Sequence, residues 1–421
     1  MLYFSAGKID FINSLVAAFV LQVCCGNPGV HVKKACQFAS SCVCKKVLGS
    51  ELLVANCADK NLFRIPKVPN IVQDLSLQKN YISIIKDGIF EENILLKSLD
   101  LSFNRLKQIR KNSFKGLNNL LYLDLSNNDL NYENVSFESA AFYFLENLKS
   151  LHLKKNVNTS FVPDLSKLQS LKTLSMDFIS DEIAILDEKY VSLKNLTFID
   201  LSGFTGNCKM NILTHETFLF LPQITHLNIS KCKIQYIHIG TFTNMKNISE
   251  LDVSLNTCLG FPALENITTD LQNSAIKILK VNYIHGIFAM SIILKTSHIW
   301  YLNKTSLVRF EAAGNRIQRI ESGALEYFPD SFESGNFRDN VFSIGEYMFD
   351  LMSMCITFLD VSESFSSHNV LTSYTEECID LEDTVTMKSE NNWIDAVSLY
   401  LKTKSSDFDF NIPVPHKLKT F

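Results

Sequence analysis

The chain has 421 residues, 40 Lys+Arg against 44 Asp+Glu, and a formal charge of −4 at neutral pH. That near-balance supplies no basic face for nucleic acid, and 46% hydrophobic against 20% charged residues excludes a disordered chain. The unusual entries are 53 Leu, 36 Asn and 31 Phe beside only 15 Gly and 9 Pro, and an excess of that kind asks for a periodic explanation.

Residues 1–25 read as a secretory signal peptide. Phe11–Val23 is a mostly apolar run of 13 residues, too short to span a bilayer, and small residues follow it. A buried first helix is the competing reading, and cysteine usage favours secretion. Residues 26–70 form a cysteine-rich cap in which Cys36, Cys42, Cys44 and Cys57 are spaced C-x5-C-x-C-x12-C. Four-cysteine zinc sites use closely spaced pairs on both sides, which this cluster lacks. The reading is therefore two disulfides, with all three pairings open.

Residues 71–362 repeat one pattern about twelve times, L-x-x-L-x-L-x-x-N-x-L, clearest at Leu96–Leu106 and Leu120–Leu130. Each L-x-L is a short strand with its leucines turned inward, and stacked copies make one parallel sheet with a continuous core. The chain must then turn sharply where backbone groups have no water. The recurring Asn80, Asn104, Asn128, Asn156, Asn256, Asn315 and Asn340 are placed to bond that buried backbone as a ladder, with Cys232 in the same slot of one copy. A Phe recurs five residues after an aliphatic one, as at Ile85–Phe90 and Ile109–Phe114, which predicts an aromatic row behind the sheet. The expected fold is a β-rich α/β solenoid, a horseshoe with the sheet concave and loops or short helical turns convex.

The outward residues between paired leucines form a column that includes Asp100, Asp124, His152 and Asp200. Lys154 and Lys155 read as a basic spot beside the two aspartates, so Asp100, Asp124, His152, Lys154 and Lys155 are the candidate ligand surface. An ordinary polar sheet face is the plainer reading. Seven N-x-S/T sequons, at Asn134, Asn158, Asn195, Asn228, Asn247, Asn266 and Asn303, are glycosylation candidates, and Asn228 falls on the strand face itself. Cys208 and Cys258 are ambiguous, and Cys258, in a consensus apolar slot, reads as a buried thiol. Cys355 and Cys378 are a candidate pair. No phosphate-binding glycine loop, zinc-protease or serine-hydrolase motif occurs, and His215, His226 and His238 sit in different phases of the repeat. No enzyme activity, metal or cofactor is expected. Residues 363–421 are irregular, acidic and Ser/Thr-rich, and Pro415–Phe421 resembles the entry to a further strand, so the expectation is a truncated array.

The L-D-L-S segments at Leu99–Ser102 and Leu123–Ser126, and I-D-L-S at Ile199–Ser202, behind a cysteine cap and signal peptide, resemble a Toll-like receptor ectodomain. The resemblance covers residues 36–361. It implies an extracellular or endosomal innate immune receptor that recognises a microbial molecule or a cytokine-like protein. It further implies signalling by homo- or heterodimerisation through a cytoplasmic TIR domain. Proteoglycans, neuronal guidance proteins and hormone receptors share the repeat, so an adhesion or matrix protein, or a soluble decoy, is the alternative.

Overall fold

The computed structural model describes residues 34–362 apart from 131–135, 139, 157–162, 187, 287–288, 290–291, 344, 348–349, 351–353 and 355. The expected signal peptide, the tail, Cys355, Cys378, Asn134 and Asn158 lie outside the described residues.

The cap opens with β1 (Lys34–Cys36), β2 (Ala39–Lys46) and β3 (Leu53–Asn56), paired antiparallel in that order. Cys36 bonds Cys44, and Cys42 bonds Cys57. The chain then reverses, and β3 pairs in parallel with β4 (Val72–Ser76). One short strand per turn follows: β5 (Ser98–Asp100), β6 (Tyr122–Asp124), β7 (Ser150–His152) and β8 (Thr173–Ser175). After β8 the chain adds β9 (Phe178–Ile183) outside the main sheet, then returns through β10 (Phe198–Asp200). β11 (Cys208–Leu213), β12 (His226–Asn228), β13 (Tyr236–Ile237) and β14 (Glu250–Asp252) repeat the alternation. The helix α1 (Gly260–Asp270) precedes β15 (Ile278–Lys280). β16 (Ile292–Leu294), β17 (Arg309–Glu311), β18 (Ile317–Ile320), β19 (Ser334–Asn336) and β20 (Phe358–Asp360) complete the described chain.

Fifteen strands form the main sheet, in chain order from β1 through β8 and then β10, β12, β14, β15, β17, β19 and β20. β9, β11 and β13 make a second parallel sheet, and β16 pairs with β18. The register is strict: Leu99 faces Leu123, Leu123 faces Leu151 and Leu151 faces Leu174. Those leucines are fully buried, while the residues on either side of Leu99, Leu123 and Leu151 are half-exposed on the other face.

Buried asparagines close the turns. Asn104 donates to the carbonyls of Leu77 and Leu101 and accepts the N–H of Ile82, reaching one repeat back. Asn80, Asn128, Asn256, Asn315 and Asn340 bond the same way, and Asn156 accepts the N–H of Leu130 at a longer 3.4 Å. Where the asparagine is missing the chain improvises. After β8, Asp177 accepts the N–H of Asn156 and of Asn207. After β12, Cys232 bonds Cys208, which pins β11 beneath the turn. A second row of amides runs along the edge where the chain enters the sheet. Asn93, Asn119, Asn147, Asn195 and Gln223 each donate to a carbonyl one repeat back.

Behind the sheet Phe114 stacks on Phe142 and Phe218 on Phe242, with fully buried Phe90 and Phe261 in the same core. Between these pairs Tyr190 is buried in place of a phenylalanine and donates its hydroxyl to Met176 Sδ. The convex side holds mainly turns and short 3₁₀ segments, and α1, with 11 residues, is its longest helix among the described residues.

Candidate functional site

The concave face is built by the half-exposed residues of each strand. Asp100 lies beside Asp124, Asp124 beside His152, and His152 beside Ser175. Further along, Asp200, Asn228, Asp252 and Lys280 are neighbours in the same column. Several of these carboxylates and amides have a local task. Asp100 accepts the N–H and hydroxyl of Ser102, and Asp124, Asp200, Asn228, Asp252 and Asp360 each accept the N–H of the serine two residues on. The D-L-S motif is thus an Asx turn that satisfies the backbone as the strand ends.

The basic spot expected beside these aspartates is not on the surface. Lys154 is 4% exposed, and its ammonium lies 2.7 Å from Asp200 Oδ1. It also donates toward the carbonyl and hydroxyl of Ser202 and the hydroxyl of Thr205, each at 2.9 Å. Burial pushes its pKa down, and Asp200 pulls it back. Lys154 reaches past β8 to Asp200 and the turn after β10. The following residue, Lys155, has φ 55° and is exposed on the flank. The left-handed turn that separates strand from flank sends the two side chains to different places, so they do not form one patch.

His152 is held by its own strand and the previous one. Its Nε2 is 2.9 Å from Ser150 Oγ, and its ring leans on Tyr122 at 5.2 Å between centroids. Burial lowers its pKa more than the nearby carboxylates of Asp124 and Asp200 raise it, so the ring is neutral at pH 7. Tyr122 donates to Asp124 Oδ2 at 3.3 Å. Asp100 is pushed up by burial and then by the like charge of Asp124. The surface the structure brings together is Asp100, Tyr122, Asp124 and His152: acidic, aromatic and rich in hydrogen-bond acceptors. Ser150 and His152 alone do not make a nucleophile. Among the described residues no carboxylate is hydrogen-bonded to the imidazole, and no group of three His, Cys, Asp or Glu is placed to hold a metal.

Of the described sequons, Asn195 and Asn247 are exposed and sit just before β10 and β14, on the edge where the chain enters the sheet, and Asn303 is exposed in the 3₁₀ segment Trp300–Lys304. Asn195 also belongs to the second amide row. Asn266 is half-buried in α1 and donates to Ile237 O. Asn228 is half-buried on the concave face between Asp200 and Asp252.

Three features were missed from sequence. Cys208 pairs with Cys232, so the ladder slot holds a half-cystine. Cys258 is disulfide-bonded and half-buried, which overturns the buried-thiol reading. Asp177 and Thr205, which organise the turn under Lys154, carried no signal, because their roles depend on contacts between repeats. The second amide row was missed as well, although it does leave a signal in the sequence: an Asn or Gln stands just before the buried residue that leads into several strands.

A leucine rich repeat family pattern matches residues 72–130. The chain is 33% identical over 341 residues to Toll-like receptor 4 of Pinctada imbricata, covering 80% of this chain and 36% of that protein. It is 32% identical over 201 residues to Toll-like receptor 3 of Bos taurus, covering 44% of this chain and 21% of that one. Osteomodulin of Bos taurus is 26% identical over 239 residues, covering 52% and 54%. The chain therefore spans about a third or less of the length of these two receptors. The crystal structure of the mouse RP105/MD-1 complex superposes with a TM-score of 0.58 at 20% identity, covering 73% of this chain and 48% of that one, a likeness of fold. Repeat, sheet and relatives together make this chain a Toll-like-receptor-like leucine-rich-repeat solenoid.

Proposed function

We propose that the chain is the ligand-binding ectodomain of an innate immune receptor. In this reading it recognises a microbial molecule or a cytokine-like protein through the solenoid surface and acts by pairing with a second leucine-rich-repeat receptor. The observation that carries it is the 33% identity over 341 residues to a Toll-like receptor. The acceptor-rich concave face at Asp100, Tyr122, Asp124 and His152 supports a binding role. The cap disulfides and Cys208–Cys232 support an extracellular or lumenal setting, where such bonds persist. In this reading signalling passes through a cytoplasmic TIR domain. No helix among the described residues is long and apolar enough to cross a membrane.

The second reading, a matrix or adhesion protein, is favoured by one observation: the chain spans 54% of osteomodulin and 79% of lumican of Gallus gallus. A chimera separates the two. The chain is joined to the membrane-spanning and TIR half of a Toll-like receptor in reporter cells. These are challenged with microbial lipid, nucleic-acid and protein fractions and with cytokine-like proteins. Induction by one class, competed by the soluble chain, is expected. A chimera that reaches the surface and stays silent to all classes, while the soluble chain is retained on extracellular matrix, overturns the receptor reading.

A further inference from the structure

The flank where the chain leaves the sheet carries exposed aromatics near the cap. Phe63 is 69% exposed, Tyr81 37% and Phe103 48%. They come from three successive turns, and each meets a ring or a cation of the neighbouring turn. Phe63 stacks on Tyr81 at 5.4 Å, and the Arg105 guanidinium of the following turn lies 4.5 Å over the Tyr81 ring. Lys79 lies 5.9 Å over Phe103. Lys79 and Phe103 both have φ near 55°, the left-handed turn that projects them from the flank. Neither Lys79 nor Arg105 has a carboxylate within ion-pairing distance among the described residues, and exposed Lys60 and Arg64 add two more cations. Against these four stand the exposed Asp59 and Asp129.

We infer that this strip, Phe63–Tyr81–Arg105 with Lys79 over Phe103, is a docking surface for a protein partner whose contacting face is acidic and apolar. The inference deepens the ligand-binding reading above and rests on it. Tyrosine and arginine on one rigid face are the residue types that anchor protein interfaces. The cations already lie on aromatic rings, so little side-chain entropy is lost when a carboxylate joins them. Single-stranded nucleic acid fits less well, because its bases need open aromatic faces and those of Tyr81 are taken by Phe63 and Arg105. A second copy related by a two-fold axis fits less well too, since it sets strip against strip and cation against cation.

The test uses the full chain and three immobilised probes: a 16-residue peptide alternating Asp or Glu with Leu or Phe, the same peptide with Ser for each apolar residue, and a single-stranded DNA. Binding is measured by interferometry for wild type, Arg105→Glu, Lys79→Glu and, on the distant rim, Lys277→Glu. The acidic–apolar peptide is expected to bind best. Its Kd rises at least tenfold in Arg105→Glu and Lys79→Glu, and Lys277→Glu leaves it unchanged. All four chains keep one melting temperature, since the altered side chains are exposed. Equal binding of the Ser peptide, tighter binding of DNA, no binding of any probe, or equal loss in Lys277→Glu overturns the inference. Arg105→Glu in the receptor chimera keeps the two readings apart. A response that survives it sinks this surface alone, whereas a chimera that never responds sinks the receptor reading and leaves the peptide result to be judged by itself.

Discussion

Lys154 and Lys155 are adjacent in sequence and opposite in role. Lys154 is an internal cation with four oxygen neighbours, and Lys155 is solvated on the flank. Removing one partner of a buried ion pair costs more than the pair contributes, because the other charge stays enclosed. Lys154→Met should therefore lose about 3 kcal/mol in urea unfolding, and Asp200→Asn in the same chain should restore part of it. Lys155→Ala should stay within about 0.5 kcal/mol. Equal effects of the two lysine changes would mean that Lys154 is not enclosed. Sequence offered Lys154 and Lys155 as one spot because the left-handed turn between them leaves no mark in residue type. The aspartates of the same face were legible as positions. Their engagement with Ser102 or Ser126 was not, although the D-L-S spacing holds that information.

At the level of the repeat, the asparagine ladder and its interruption are two ways of meeting one demand, the pairing of backbone groups in a dry turn. Asn128 donates to Leu101, Leu125 and Ser126 carbonyls and accepts the N–H of Leu106. Asn128→Ala orphans these groups, and about 3 kcal/mol of local stability should be lost. Because each repeat touches chiefly its neighbours, the loss should be local. Hydrogen exchange should quicken around β5–β7 and stay unchanged at β17–β19, and uniform quickening would argue for a single cooperative unit instead. The Cys208–Cys232 bond spans 24 residues. Replacing both cysteines by alanine should cost about 3 kcal/mol on the chain-entropy account. Exchange should rise first in β9, β11 and β13. The ladder could be read from sequence because Asn recurs in phase. The bridge could not, because Cys208 lies outside the repeat template and only folding brings it under Cys232.

The molecule as a whole stores titratable groups between repeats, and His285 shows how. Its Nε2 accepts the N–H of Phe261 at 3.2 Å, and its Nδ1 lies 3.3 Å from Asn315 Oδ1, which suits a neutral ring protonated at Nδ1. Burial lowers its pKa from 6.5 to about 4, and His298 beside it is lowered to about 4 by burial and then by Lys295. The unfolded chain takes up these protons as pH falls from 6.5 toward 4, so the stability tied to a neutral His285 is lost across that window. Asp252 works in the opposite sense. Burial raises it to about 6, so the folded state gains stability as pH falls from 6 toward 3.8. Comparing His285→Gln with wild type isolates the first effect. The variant should gain roughly 2 kcal/mol relative to wild type between pH 7 and pH 5. A difference that does not change with pH would show that His285 titrates normally.

Sequence by itself determined the architecture of this protein. An L-x-L strand repeated at a near-constant step, with Asn in phase, has one economical solution: inward leucines, paired turns and a continuous parallel sheet. That information is local and periodic, so one repeat predicts the next. Tertiary structure alone decided where charge and polarity end up. Lys154 is internal because Asp200, Ser202 and Thr205, some 46 to 51 residues on, converge on it. Phe63, Tyr81 and Arg105 form one stack because three successive turns bring them together. Whether a charge is enclosed or a ring exposed depends on neighbours from other repeats, and no single repeat encodes them.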